Sequence, residues 1–439
     1  MPGKSALRRT AFAVAVAFVV VAAPAVLAGN GHFIHGVGAV NSAMGGAGVA
    51  LPEGPIGALY LNPALLTEIE GHDFEFGIEL VDSQAAVEST VQTPFGAFSG
   101  RTEDETDLSP VPSFAWARGP KDGGNVAFGM AFLGLAGFGT DYPQDSSNPI
   151  LNPQPAGFGA VYSSYKFLKI PFGVGWRVND ELSLGFSFNA GAATLEARPF
   201  GGVAPDCSGP TTCFFPGLNE DSAFGFGATV GLLWKPSDVW AFGVAYNTEM
   251  SFDAFDWNTT HANPNLPNFG TARSDEFTVD TPQTFTAGLA FTPNPRWRVA
   301  FDGRWINYED TEGFESGFNP MTGAAAGLGW DDIYVFALGV EFAATPNVTL
   351  RGGWNRSDAA VSESSAFQNV ASPALFEDHL TLGLGWQAYE ELQVNLGYYH
   401  VFENDVTGAF VGPFGPVPGT SVTNEIAVDS YLATFSFDF

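Results

Sequence analysis

Three charged residues interrupt an apolar stretch at positions 297–305, where Arg298, Asp302 and Arg304 alternate with Trp297, Val299, Phe301 and Trp305. Successive side chains of a strand point to opposite faces, so the charges share the face away from the large apolar groups. Arg351 falls on that face by the same count, as does Glu341 on the preceding strand. Guanidinium groups beside carboxylates suit two tasks. They brace a wall as an internal ion-pair network, or they meet a carboxylate carried by a ligand through charge-assisted hydrogen bonds. The pattern leaves both open for Arg298 and Arg304.

Other residues of chemical interest lead less far. The six histidines are His32, His35, His72, His261, His379 and His400. None stands in a Ser/Asp arrangement that would activate a nucleophile, so no catalytic residue is assigned and no cofactor is implied. His32 and His35 are three apart but lack a third ligand, and no metal site is expected. Cys207 and Cys213 lie in one Gly/Pro-rich loop; a local disulfide is expected, with two free thiols as the alternative.

The elements that must position these residues are strands. Phe224, Phe226, Ala228, Val230, Leu232 and Trp234 alternate with Gly225, Gly227, Thr229 and Gly231, and the pattern recurs to the last residue. Connections alternate in length. Six short ones, such as Asn179-Asp180 and residues 235–238, separate seven long ones, such as residues 199–221 and 253–277. Fourteen strands follow, with both ends on the short-turn side, as in an antiparallel transmembrane β-barrel with longer external loops. Trp234, Trp240, Trp297, Trp386 and Tyr389 sit beside short turns, where amphipathic rings suit the headgroup level. The last strand ends on alternating aromatics and Phe439, the kind of end such barrels present to their assembly machinery.

Residues 1–28 read as a signal peptide: Lys4, Arg8 and Arg9, then an apolar core, then Val26-Leu27-Ala28 before the cut. Residues 29–71 follow as a Gly- and Ala-rich stretch without period. A segment so apolar and so costly to order needs a cavity made by something else, so it is expected to plug the barrel formed by residues 72–439. The net charge of −30 excludes nucleic acid as a partner. The face opposite lipid is mostly Gly, Ala, Ser and Thr, which favours apolar over polar passengers. One strand breaks its own alternation: Val126, Phe128, Met130 and Phe132 are followed by Leu133, Gly134 and Leu135. A one-residue slip beside glycine marks a bulge, read either as simple curvature or as a gap through which an apolar molecule leaves sideways.

These features resemble the FadL-type outer-membrane transporters of long-chain fatty acids and hydrocarbons. The resemblance is tightest at Asn62-Pro63-Ala64-Leu65-Leu66-Thr67, similar to the family's Asn-Pro-Ala motif at the end of its plug, and runs on to Phe439. It implies a fourteen-stranded barrel with an N-terminal hatch in the outer membrane of a Gram-negative bacterium, set among outer-membrane lipid and lipopolysaccharide. Cargo would be caught by loops, pass to a lumen site, shift the hatch and exit at a third-strand kink, here Leu133-Gly134. Arg198, ending the fifth strand, and Arg304, in the ninth, lie in the regions where that family holds carboxylates. A general porin and an outer-membrane acyl hydrolase are the alternatives.

Overall fold

The computed structural model describes residues 29–439 except 122–123, 210–211, 320 and 413–414. The expected signal peptide lies outside the described residues. Fourteen antiparallel strands form the wall: β1 (His72–Thr93), β2 (Ser109–Arg118), β3 (Val126–Tyr142), β4 (Val161–Arg177), β5 (Leu182–Arg198), β6 (Leu218–Trp234), β7 (Trp240–Asn247), β8 (Thr284–Asn294), β9 (Trp297–Ile306), β10 (Ile333–Thr345), β11 (Val348–Ser357), β12 (Asp378–Tyr389), β13 (Leu392–Gly408) and β14 (Thr420–Asp438). Each pairs with its neighbour in sequence, and β1 closes on β14 from Asp73↔Asp438 to Val91↔Thr420. Closure leaves no sheet edge to satisfy in lipid, the condition for strands to span a bilayer.

The alternation sorts the side chains as expected. Phe224 (59%), Phe226 (60%) and Leu382 (55%) are exposed outward, whereas Thr229, Thr381 and Asn395 are buried inward. Trp234, Trp240, Trp297, Trp386 and Tyr389 are all exposed beside the short turns. A second set of interfacial rings lies at the loop end with its polar tips partnered. Trp305 Nε1 donates to Asp332 at 3.0 Å, Trp354 Nε1 to Asp378 at 3.1 Å and Tyr398 Oη to Asp429 at 2.6 Å. Rings with an apolar body and a bonded polar tip suit a boundary between lipid and water.

The long connections carry structure of their own. Gly96–Glu103 pairs back onto β1, and Phe255–Thr260 pairs with Ala272–Phe277. Cys207 and Cys213 are disulfide-bonded, joining the short strands Asp206–Cys207 and Cys213–Phe214. Asp206 gathers this loop cluster, accepting from His261 Nδ1 at 2.7 Å, Ala262 N at 2.6 Å and Arg273 Nη1 at 3.3 Å.

The barrel is filled by residues 29–69, nearly all of them buried. Two short helices, α1 (Gly38–Ala43) and α2 (Pro55–Leu61), and the 3₁₀ turn Pro63–Glu68 make up this plug. Its ends are capped by local chemistry. Gly54 supplies φ 96° before Pro55 at the first helical position, and wall residue Glu75 accepts the Ile56 N–H at 2.8 Å. Asn62 caps the 3₁₀ turn by accepting Ala64 N at 3.0 Å. Glycines on the wall allow backbone to meet backbone: a Cβ on Gly185 or Gly243 would collide with Ala64 N or Val49 O.

Candidate functional site

The third strand departs from regular pairing where the sequence slips. β3 pairs with β2 only as far as Ser113↔Leu133, although β2 continues alongside β1 to Val81↔Ser109. Pro112 lacks the N–H that the next ladder bond needs, which ends the pairing. On the other side, Gly134↔Leu168 is followed by Ala136↔Phe167, so Leu135 is the extra residue of a bulge. The freed edge of β3 is taken by the plug: Ile34 N donates to Leu135 O at 2.9 Å, and Gly137 N donates to His32 O at 3.0 Å. A void of ≈ 10 Å³ remains here, bordered by Ile34, Ile78, Glu79, Val111 and Gly134. Leu133 and Gly134 therefore stand at an interruption of the wall.

Two cavities lie along the inside of β3, β4 and β5. The larger, ≈ 210 Å³, is bounded by loop and strand-end residues, chiefly Phe138, Phe158, Phe200, Phe215, Phe277 and Phe367, and among the described residues no charged side chain lines it. For scale, a dry apolar cavity of about 150 Å³ accepts benzene. The smaller, ≈ 50 Å³, lies deeper, between the wall and plug residues Phe33, Tyr60 and Leu61. On β4 the two are separated by Tyr165, which follows Ser163 of the upper cavity and precedes Phe167 and Lys169 of the lower. Tyr165 stacks on Phe138 at 5.1 Å, and the adjoining partition includes His32, Tyr308, Phe314 and Trp330.

The lower chamber holds two cations. Lys169 is buried, and its Nζ donates to Asn247 Oδ1 at 3.0 Å. Asn247 also accepts from Thr229 at 2.6 Å and donates to Thr284 at 2.9 Å, so the network that holds the ammonium is neutral. Arg304 donates from Nη1 to Tyr60 Oη at 3.2 Å and lies over the Tyr60 ring at 5.6 Å. Among the described residues no ion pair joins either cation to an acidic side chain. A buried ammonium and a half-buried guanidinium, both hydrogen-bonded to neutral partners, form a site with capacity for an anion, because a charge withdrawn from water favours a counter-charge.

The other predicted arginines are placed differently. Arg298 binds Glu341 at 2.6 Å and Pro52 O at 3.1 Å; Glu341 also holds Arg351 at 2.7 Å. This is the bracing network, tied to the plug. Arg198 does not reach the lumen. It shares the outward parity of Phe186 and Phe188 on β5, is exposed, pairs with Glu196 at 2.9 Å and stacks over Tyr162. Parity thus sets Arg198, named by the regional resemblance, apart from the lower chamber.

Asp302, on the same inward face, anchors the plug by accepting Gly48 N and Val49 N. Asn62 extends its amide beyond its own cap, donating to Val49 O at 2.8 Å and Leu232 O at 3.0 Å. The Asn-Pro-Ala triplet thus fastens plug to plug and plug to wall. Sequence reading missed Lys169, Glu75 and Tyr60. Counting back from Trp176 along β4, or from Phe76 along β1, would have turned Lys169 and Glu75 inward; Tyr60 gave no such signal.

Comparison with known proteins agrees with this architecture. The family model described as Outer membrane protein transport protein (OMPP1/FadL/TodX) matches residues 18–438. A long-chain fatty acid transport protein of Escherichia coli is 21% identical over 372 residues, covering 77% of this chain and 80% of that one. The toluene transporter TodX of Pseudomonas putida superposes with TM-score 0.71 at 19% identity, over 92% of this chain and 99% of its own. A FadL homologue of Pseudomonas aeruginosa gives TM-score 0.71 at 15% identity, over 93% and 100%.

Proposed function

Because this chain belongs to the outer membrane protein transport family (OMPP1/FadL/TodX), we propose that it carries hydrophobic molecules with a carboxylate head, of the long-chain fatty acid class, across the outer membrane. The observation that carries this reading is the pairing of Lys169 and Arg304 in one chamber, each on neutral partners. A bidentate guanidinium and a nearby ammonium fit a carboxylate, and a ligand that lacks one offers them no counter-charge.

The path follows the cavities. The phenylalanine-lined upper cavity takes an apolar chain from the loops, and burial of apolar area there supplies the affinity. The head group then enters the lower chamber, which has room for only a few water-sized groups. Further progress requires residues 29–71 to move as a hatch. Exit is sideways, at the interruption beside Leu133 and Gly134, where the β2–β3 ladder has ended at Ser113↔Leu133. Movement is diffusive, from a weaker to a tighter site and on into lipid.

Binding to the purified protein tests the reading. A fluorescent long-chain fatty acid should show saturable binding, displaced by unlabelled acid at least tenfold better than by its methyl ester (about 1.4 kcal/mol). Equal displacement by acid, ester and a neutral aromatic hydrocarbon would instead assign the neutral cargo that the uncharged upper cavity also accommodates.

A further inference from the structure

One continuous hydrogen-bond chain leaves the lower chamber and ends on the interrupted strand. Arg304 Nη1 donates to Tyr60 Oη at 3.2 Å, and Tyr60 Oη donates to Ile34 O at 3.2 Å. The next link comes from the same plug residue, whose N–H donates to Leu135 O, the bulged residue of β3, at 2.9 Å. Phe33, Tyr60, Leu135 and Arg304 all line the chamber. The chain therefore runs through the cavity lining, from its cation to the plug segment that covers the freed edge of β3.

We propose that Tyr60 is the residue that couples anion capture at Arg304 to release of residues 32–34 from the third-strand edge. The proposal rests on the reading of the Lys169–Arg304 chamber as a carboxylate site. In this structure the guanidinium has a neutral acceptor, the tyrosine hydroxyl. Accepting a bond from a cation makes that hydroxyl a stronger donor, so the Arg304 contact strengthens the Tyr60 bond to Ile34 O. A carboxylate offers the guanidinium charge-assisted, bidentate bonds about twice as strong as neutral ones and draws it off the hydroxyl. Tyr60 then holds Ile34 less tightly, and Ile34 N with His32 O is freer to leave Leu135 and Gly137.

The geometry makes Tyr60 specific for this task. The residue is buried in α2 and makes no hydrogen bond to the Arg298–Glu341–Arg351 network or to Asp302. Its hydroxyl is the step between the cation and the backbone of the plug. Glu79, bordering the void by Gly134, is held by Tyr399 Oη at 2.6 Å and Ser430 Oγ at 2.9 Å and takes no part in the chain.

The test is hydrogen exchange on the purified full-length mature protein, read on peptides spanning residues 29–37 and 134–140. Saturating fatty acid should speed exchange at the Ile34 and Gly137 amides by about fivefold or more, the scale of a modest coupling energy. The methyl ester at matched occupancy should leave it unchanged. Tyr60→Phe keeps the ring and removes the hydroxyl; compared with wild type at matched fatty acid occupancy, it should lose the ligand-dependent acceleration. Heat-modifiable gel mobility verifies that the variant barrel is folded, and Tyr60→Trp, whose indole N–H can donate but cannot accept from Arg304, serves as the second variant and should also lose the response. Acceleration that persists in Tyr60→Phe, or that the ester produces equally, overturns the coupling. If wild type shows no preference for acid over ester, the carboxylate reading fails first; selective binding with an unaltered Tyr60→Phe response sinks the coupling alone.

Discussion

Asp302 Oδ2 and Val49 N stand 2.8 Å apart, and the same oxygen accepts Gly48 N at 2.8 Å, so one wall carboxylate holds two consecutive amides of the plug. Hydrogen bonds to a charged acceptor contribute about 1.5–3 kcal/mol each. Asp302→Ala should loosen residues 44–52 without unfolding the barrel. Single-channel recording in planar bilayers should then show more frequent ion-conducting openings than wild type; an equally silent variant would refute the anchoring role.

Asn62 is the second fastening. Its side chain serves Ala64 N, Val49 O and Leu232 O at once, and no shorter residue reaches all three. Asn62→Ala leaves buried partners unsatisfied at a cost of about 1–3 kcal/mol apiece. Faster proteolysis or amide exchange confined to residues 44–69 is the expected result, with heat-modifiable mobility unchanged.

The chamber cations give a sharper contrast. Arg304→Gln and Lys169→Met should each weaken fatty acid binding by roughly tenfold or more, since each deletes a charge-assisted bond of about 1.5–3 kcal/mol. Neither should alter binding of the methyl ester. Arg198→Gln, on the outer face, serves as the control and should leave both affinities as they are.

At the wall interruption, a Cβ on Gly134 would lie 2.6 Å from Val111 Cγ1 and 3.3 Å from Pro112 O. Gly134→Val must crowd that seam. Uptake into cells should fall several-fold while equilibrium binding to purified protein stays within about twofold, a loss below ~0.5 kcal/mol. Parallel losses in both would place the residue in the binding site rather than at the exit.

The disulfide loop carries a pH dependence. Burial alone would raise the Asp206 carboxyl, but hydrogen bonds from His261 and Ala262 N and the Arg273 guanidinium outweigh it and hold it below the usual range. A depressed carboxyl contributes stability that is present above its unfolded value and lost as pH falls through the folded one. Exchange of the Ala262 amide should therefore accelerate only on acidification below the ordinary carboxylate range, and Asp206→Asn should remove that dependence.

Much of this was legible in the chain, for physical reasons that also mark where legibility stops. Period-two alternation is imposed by lipid on one side, so strand number, outward residues and the slip at Leu133-Gly134 could be counted. The same count carries Lys169 inward and Arg198 outward. For Arg198 the regional resemblance and parity point to different faces, and the structure follows parity. The plug meets no lipid and has no period, so nothing in residues 29–71 announces which side Tyr60 faces. Pro110 and Pro112 on β2 did hint at the broken ladder, since neither can donate across it. The internal hairpins of the long loops, such as Phe255–Thr260 with Ala272–Phe277, face water on most sides and leave a weaker pattern.

The wall glycines opposite the plug bear on what kind of motion is available. Where Gly185, Gly243 and Gly353 face Ala64, Val49 and Gly45, main chain rests on main chain with no side chains meshed between them. At these three points the joint behaves like a smooth bushing, whereas at Gly173 and Gly339 the side chains of Leu59, Leu66 and Met44 seat against the wall. Adding even a methyl group to the bushing would jam it or force the insert out, so the bore below the chambers cannot be tuned gradually, and variation in cargo must be sought in the loops above.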